Sequence, residues 1–173
     1  MVMNTSTRAT ATFALALALT LGWTLPLVAQ TPVATADTDA APDDIVAVWE
    51  ADRTVPLEAE GLDLDDFRYV ARPVVVFADS PRDPLFIEQM ALLADGPDRL
   101  AERDVVVIFD TDPDGAGDVR LDLRPRGFML ALVGKDGQIE ARKIRPWDVR
   151  ELTRSIDRTP SRIQEVRDRR GTN

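Results

Sequence analysis

Two absences define the side chains of this chain that can do chemistry. Its 173 residues contain no cysteine and no histidine. Without thiols there is no disulfide, no thiolate nucleophile or metal ligand, and no Cys-X-X-Cys redox pair. Without imidazole there is no Ser-His-Asp triad, no His-ligated metal and no usual general base. Carboxylates, Lys, Arg, hydroxyls and Tyr69 remain. The sharpest pattern among them is Asp110-Thr-Asp112-Pro-Asp114-Gly115. Oxygen ligands at the first, third and fifth positions with Gly at the sixth open a calcium loop, and Asp118 falls at the ninth. The twelfth position, where a bidentate Glu belongs, is Leu121, and Pro113 biases Asp112 away from helical backbone angles. Asp110, Asp112, Asp114 and Asp118 are therefore candidate ligands for Ca²⁺ bound outside an EF-hand, with a solvated acidic turn as the plain alternative.

A second group, Asp79, Ser80, Arg82 and Asp83, lies where an apolar run gives way to a helical pattern. Backbone amides at a helix N-terminus hold anions, and Arg82 adds a positive charge, so these four are candidate ligand-binding residues for a small anion. Plainly read, Asp83 caps the helix and Arg82 is solvated. Ser80 has no histidine to activate it, and no residue is assigned as catalytic. Asp63, Asp65 and Asp66 alternate with Leu62, Leu64 and Phe67, giving either a carboxylate pair for acid–base work or an exposed face. Arg120, Arg124, Arg126, Arg142, Lys143 and Arg145 gather around one hairpin. They form either a patch for an acidic partner or ordinary solvated positions. The net charge of −9 argues against general affinity for nucleic acid or anionic lipid.

The elements that must position these residues follow from periodicity. Residues 74–78 and 104–109 are short, continuous apolar runs that predict buried strands. Between them Asp83-Pro84, an N-cap followed by proline, opens a helix carrying Leu85, Met90 and Leu93. Gly96-Pro97 ends it, and 98–103 adds a turn or two. Two buried strands joined by a helix predict a parallel β-α-β unit. The alternation at 119–125 suits an exposed strand. Residues 127–133 and 138–143 predict an antiparallel hairpin about Gly134-Lys-Asp-Gly137, and Pro146-Trp147 opens a helix to Ile156. A last helix runs over 160–169, with Ser161 and Gln164 at capping-box spacing. Upstream, 43–52 predicts a short helix, and 55–69 an irregular stretch with an edge strand near 67–70. Trp49, Phe128 and Trp147 are expected in the core.

Residues 1–36 read as a signal peptide or a retained N-terminal anchor. Arg8 precedes the apolar stretch 13–21, and small-residue sites end at Ala29 and Ala36. Either version directs the rest of the chain to the periplasm or the exterior, with membrane contact only through an uncleaved N-terminal segment. Residues 37–60 are then a linker with a short helix, and 61–170 a single α/β domain. Its order is β-α-β followed by β-hairpin-α, a thioredoxin-like mixed sheet with flanking helices.

Arg72-Pro-Val-Val-Val-Phe77, Ser80-Pro-Arg-Asp-Pro84, Gln89, Glu102-Arg-Asp104, Phe128, Gly134-Lys-Asp-Gly137, Ile156-Asp157, Pro160 and Arg162 form an ordered set along the chain. Over about 67–167 the chain resembles the P-DUDES family. This is a thioredoxin-like "domain of unknown function" group of exported bacterial proteins and of modules in animal matrix proteins such as equarin and the sushi-repeat proteins. The resemblance implies a thioredoxin or peroxiredoxin ancestry, whose reactive Cys corresponds to the turn from Ser80 through Asp83. Met129 holds the place of the cis-proline of redox members. The implied function is an exported, redox-inactive binding or structural module for an unknown protein or a small anionic ligand, without nucleic acid. The alternative is a carboxylate- and Arg-based, or Ca²⁺-assisted, enzyme of unknown type.

Overall fold

The apolar run that begins at Arg72 becomes the middle strand of a five-stranded mixed sheet. The computed structural model describes residues 44–115 and 117–171. The targeting segment read at 1–36 and the linker as far as residue 43 lie outside them. The described chain runs α1 (Ile45–Ala51), β1 (Leu57–Glu58), a 3-10 turn (Leu64–Phe67), β2 (Arg72–Phe77), α2 (Pro84–Ala94) and α3 (Pro97–Ala101). It continues with β3 (Val105–Asp110), α4 (Asp118–Leu123), β4 (Met129–Val133), β5 (Ile139–Lys143), α5 (Val149–Ile156) and α6 (Pro160–Gly171). Strand order is β1-β3-β2-β4-β5. β1 and β2 run parallel to β3, β4 runs antiparallel to β2, and β5 runs antiparallel to β4. The β-α-β unit and the hairpin-helix expected from the sequence are both present.

Burial explains the composition of each strand. Every residue of β2 is buried, so both faces are apolar and no alternation is visible. Val75 and Phe77 point to one face with Trp49, Phe67, Val119, Leu123, Met129 and Ala131. Val74 and Val76 point to the other with Leu93, Leu100, Leu130, Leu132, Val149, Leu152 and Ile156. The first face is covered by α1 and α4, the second by α2, α3 and α5. Trp49 meets Phe67 edge to face at 6.4 Å, and β1 pairs with β3. The core therefore begins upstream of residue 61. Among the described residues no helix is long and apolar enough to cross a membrane.

Four expectations are corrected. Residues 118–123 form the helix α4, not an exposed strand. Val119 and Leu123, four apart, face the core, and Leu121 is left 57% exposed, so spacings of two and of four competed and packing chose four. The edge strand is β1 rather than 67–70, where a 3-10 turn is followed by Tyr69 at φ 66°. α5 starts at Val149, because Asp148 takes the Glu151 N–H at 2.7 Å, and Pro146 and Trp147 precede it. At the start of α6, the Thr159 hydroxyl accepts from the Arg162 N–H, and Gln164 turns along the helix to Asp168. The cap therefore lies at Thr159, not Ser161. Trp49 and Phe128 are core residues as expected; Trp147 is half-buried with Lys143 over its ring.

Trp147 is held by its backbone. The fully buried Gln89 of α2 donates to the Trp147 carbonyl at 3.0 Å and accepts its N–H at 2.8 Å. Replacing Gln89 by Leu strands both groups, and each stranded polar group costs about 1–3 kcal/mol. Gln89→Leu is therefore expected to lower the urea midpoint with the slope unchanged, by more than the nearby exposed substitution Glu88→Leu does.

Candidate functional site

Charged and polar side chains gather at both ends of the sheet. One is formed by the C-terminal ends of β2 and β3 and the start of β4, and there both sequence-predicted sites lie. At the end of β2 the turn of Asp79, Ser80, Arg82 and Asp83 closes on itself. The Ser80 hydroxyl accepts the Arg82 N–H at 3.2 Å, and the Asp83 carboxylate accepts the Leu85 N–H at 2.8 Å with Pro84 opening α2. Asp79 is exposed beside Gly127, whose φ of 63° suits glycine.

At the end of β3 the acidic loop is organised by a cation of its own chain. Asp110 and Arg120, each with a side chain 11% exposed, form a two-point pair, Nε to Oδ2 at 2.8 Å and Nη2 to Oδ1 at 3.0 Å. The same Nη2 donates to the Ala78 carbonyl at 3.1 Å, and the guanidinium lies 5.4 Å from the Phe77 ring centre. Arg120 thus ties α4 to the ends of β2 and β3 and stands apart from the hairpin cations with which the sequence grouped it. Asp110 also accepts the Asp112 N–H, Asp112 accepts the Asp114 N–H, and Asp118 is the first residue of α4. The loop brings Asp110, Asp112 and Asp114 together as successive turns. Among the described residues no three acidic side chains converge as a metal cage. A cleft of about 240 Å³ opens beside them, lined by Glu58, Glu60, Phe109, Asp112, Val119 and Arg120 among others. Asp63 is spent capping the 3-10 turn, and Asp65 pairs with Arg68 at 2.9 Å.

The opposite end, where β2 and β3 begin and the β4–β5 turn closes, carries a charge network. Arg72 is fully buried at the first position of β2. Its Nη1 donates to the Arg103 carbonyl at 2.9 Å and its Nη2 to the Glu165 carboxylate of α6. Glu165 also takes Arg162 Nη1 at 3.1 Å and has Lys135 Nζ at 3.8 Å. Asp104, at φ 53°, receives Lys135 at 2.8 Å, Arg53 at 3.0 Å and Arg169 at 3.2 Å. Burial works to raise the Asp104 carboxyl. The Lys135 hydrogen bond and the charges of Lys135, Arg169 and Arg53 outweigh it, and the net shift is downward. Glu165 behaves the same way: burial opposes ionisation, and hydrogen bonds from Arg72 and Arg162 with the charges of Arg72 and Lys135 carry the carboxyl below its usual range. Arg72, Asp104, Lys135 and Arg162 were marked in the sequence as motif residues without roles. Only a charge set before an otherwise apolar strand, at Arg72 and again at Asp104, hints at them.

A family model described as "Domain of unknown function (DUF4174)" matches residues 63–165, a span that includes both Arg72 and Glu165. No curated protein matches the chain.

Two outcomes follow from this geometry. Removing Glu165 leaves a buried guanidinium short of its counter-charge, so Glu165→Ala is expected to cost about 3–5 kcal/mol. Arg72→Met is expected to cost less, because Glu165 keeps Arg162 and Lys135. Both carboxyls are depressed, so their stabilisation is complete above about pH 5, where the unfolded carboxyls are ionised, and disappears as pH falls through their folded-state pKa values. Thermal melts of wild type and Glu165→Gln should draw together as pH falls and converge only below the folded-state pKa of Glu165. At the other end, Arg120→Ala is expected to destabilise by a similar 3 kcal/mol or so, and about 1 mM Ca²⁺ is expected to leave the wild-type melting temperature unchanged.

Proposed function

The chain belongs to the DUF4174 family, a domain of unknown function, and from that premise we propose that it is a thioredoxin-like module without redox chemistry that works by binding, outside the cytoplasm. The observation that carries this reading is the β2–α2 turn. Thioredoxin-like enzymes keep their reactive thiol there; this chain keeps Ser80, whose hydroxyl is engaged by the Arg82 N–H, and has no sulfur nucleophile anywhere. The β-α-β and hairpin-helix order, with β2 central between β3 and β4, supports the thioredoxin-like part. Kinship with the P-DUDES group is supported by the way its motif residues meet: Arg72 reaches the Arg103 carbonyl, Lys135 reaches Asp104, and Arg162 reaches the Glu102 carbonyl. Export is supported by the composition of 1–36, with its single Arg8 and the apolar stretch after it. The partner is a protein or a small anion rather than nucleic acid, in keeping with the net charge of −9.

A second reading keeps the cleft beside β3 as a small active site worked by carboxylates. Glu58, Glu60 and Asp112 line it against the apolar Phe109 and Val119. The binding reading is preferred because the one cation of that cleft, Arg120, is already committed to Asp110.

The purified full-length protein is expected to show no insulin-disulfide reduction and no peroxide consumption above buffer. Turnover in either assay would overturn the redox-inactive reading. Fractionation of cells producing the full chain, beside a chain lacking residues 2–36, is expected to find only the former outside the cytoplasm.

A further inference from the structure

In a chain with 30 acidic and 21 basic residues, five cations at one corner of the sheet form no ion pair among the described residues, and Glu140 is the one acid within β5 itself. Among the described residues eight cations form ion pairs; Arg124, Arg126, Arg142, Lys143 and Arg145 do not, nor do seven others scattered elsewhere, and these five are set apart by being gathered at one corner. The fold gathers them from two segments. Leu130 of β4 is in register with Lys143 of β5, so the approach to β4 that carries Arg124 and Arg126 lies beside Lys143 and Arg145. Arg142 reaches across to the Leu123 carbonyl at 2.9 Å, closing the last turn of α4 and bringing Arg124 next to it. Lys143 lies flat over Trp147, its Nζ 4.6 Å from the ring centre.

The same corner is a sheet edge. β5 is the terminal strand, paired on one side with β4. Its exposed flank carries Ile139 at 42% exposure, and Ile144 just beyond it at 75%. An edge strand offers a ladder of backbone donors and acceptors, and alternating side chains beside it read the incoming strand. A second copy of this chain is a poorer occupant: an antiparallel β5–β5 pair centred on Ala141 sets only Glu140 against Arg142 and leaves Lys143 and Arg145 without a carboxylate. The missing element is an extended segment that supplies carboxylates.

We propose that the β5 edge takes an acidic, extended peptide segment of a partner protein as a sixth strand, its carboxylates meeting Arg126, Lys143 and Arg145 and its apolar side chains meeting Ile139 and Ile144. This rests on the reading of the chain as a binding module and gives that module a surface and a ligand class. The attraction of the five cations steers the segment to the edge, and the backbone ladder sets its register. Such binding weakens as salt rises.

The test uses the full-length protein and a fluorescein-labelled octapeptide alternating Glu with Val, followed by anisotropy. Three controls accompany it: the Lys-for-Glu peptide, the Glu peptide N-methylated at alternate residues, and heparin as competitor. The expected result is saturable binding of the Glu peptide, weakened about tenfold by Lys143→Glu with Arg145→Glu. Binding of the Lys peptide and of the N-methylated peptide should be lost. Ile144→Ser serves as a second variant that leaves the charges in place, and it too should weaken binding; each variant is accepted only with a wild-type melting temperature. Equal binding of the N-methylated peptide, or heparin binding the same site more tightly, would replace strand addition by a polyanion patch and overturn the proposal. Absence of binding by the Glu peptide would overturn it as well, leaving the cations as guards against edge-to-edge pairing. None of these outcomes touches the redox assays, whose failure would strike the broader reading instead.

Discussion

The guanidinium of Arg72 is withdrawn from water at the start of the central strand, and its charge is answered by Glu165 in the last helix. Burying a charge is unfavourable unless the partner is close and its remaining lone pairs are used. Here Glu165 is shared with Arg162 and Lys135, and Lys135 and Arg169 are shared in turn with Asp104. The network therefore joins the starts of β2 and β3, the β4–β5 turn, the segment after α1 and all of α6. Arg162 is the one buried residue of α6, so that helix is attached chiefly by charge rather than by an apolar stripe.

The other end of the sheet is closed by the same chemistry in smaller form. Arg120 holds Asp110 with two hydrogen bonds and takes the carbonyl that ends β2. A guanidinium thus occupies the position where the acidic loop meets the strand ends. In the loop that spaces its carboxylates like a cation site, Asp110 and Asp112 accept backbone N–H groups of the loop itself, and Asp110 also holds Arg120. Both ends are held by internal pairs, whereas the outer edge, β5 and the approach to β4, gathers five cations that form no ion pair among the described residues.

The strands other than β1, and most helices, were legible because they rest on local signals. Continuous apolar runs became β2 and β3, Asp83-Pro84 became the start of α2, and the Gly-bounded turn became the β4–β5 hairpin. α4 was not legible, since Val119, Leu121 and Leu123 satisfy two periods at once and only contact with Trp49's side of the core decides. The α5 boundary was missed because Pro146 and Asp148 are both good starting signals two residues apart, and Gln89 holds the backbone between them. The candidate sites were legible as residue types and not as arrangements. Asp110 and Arg120 are ten apart and were read separately, one as a ligand and one as part of a surface patch. Arg72 and Glu165 lie 93 residues apart, beyond the reach of any local pattern.

That separation also governs when the molecule can finish folding. The central strand emerges from the ribosome with a charge whose counter-ion follows 93 residues later. The sheet can begin to assemble around β2 and β3, but Arg72 cannot be sealed from water until α6 is free of the exit tunnel. The domain is thus kept open at one end until the middle of α6 has been made, and a chain stopped before Glu165 would leave the Arg72 guanidinium without its carboxylate.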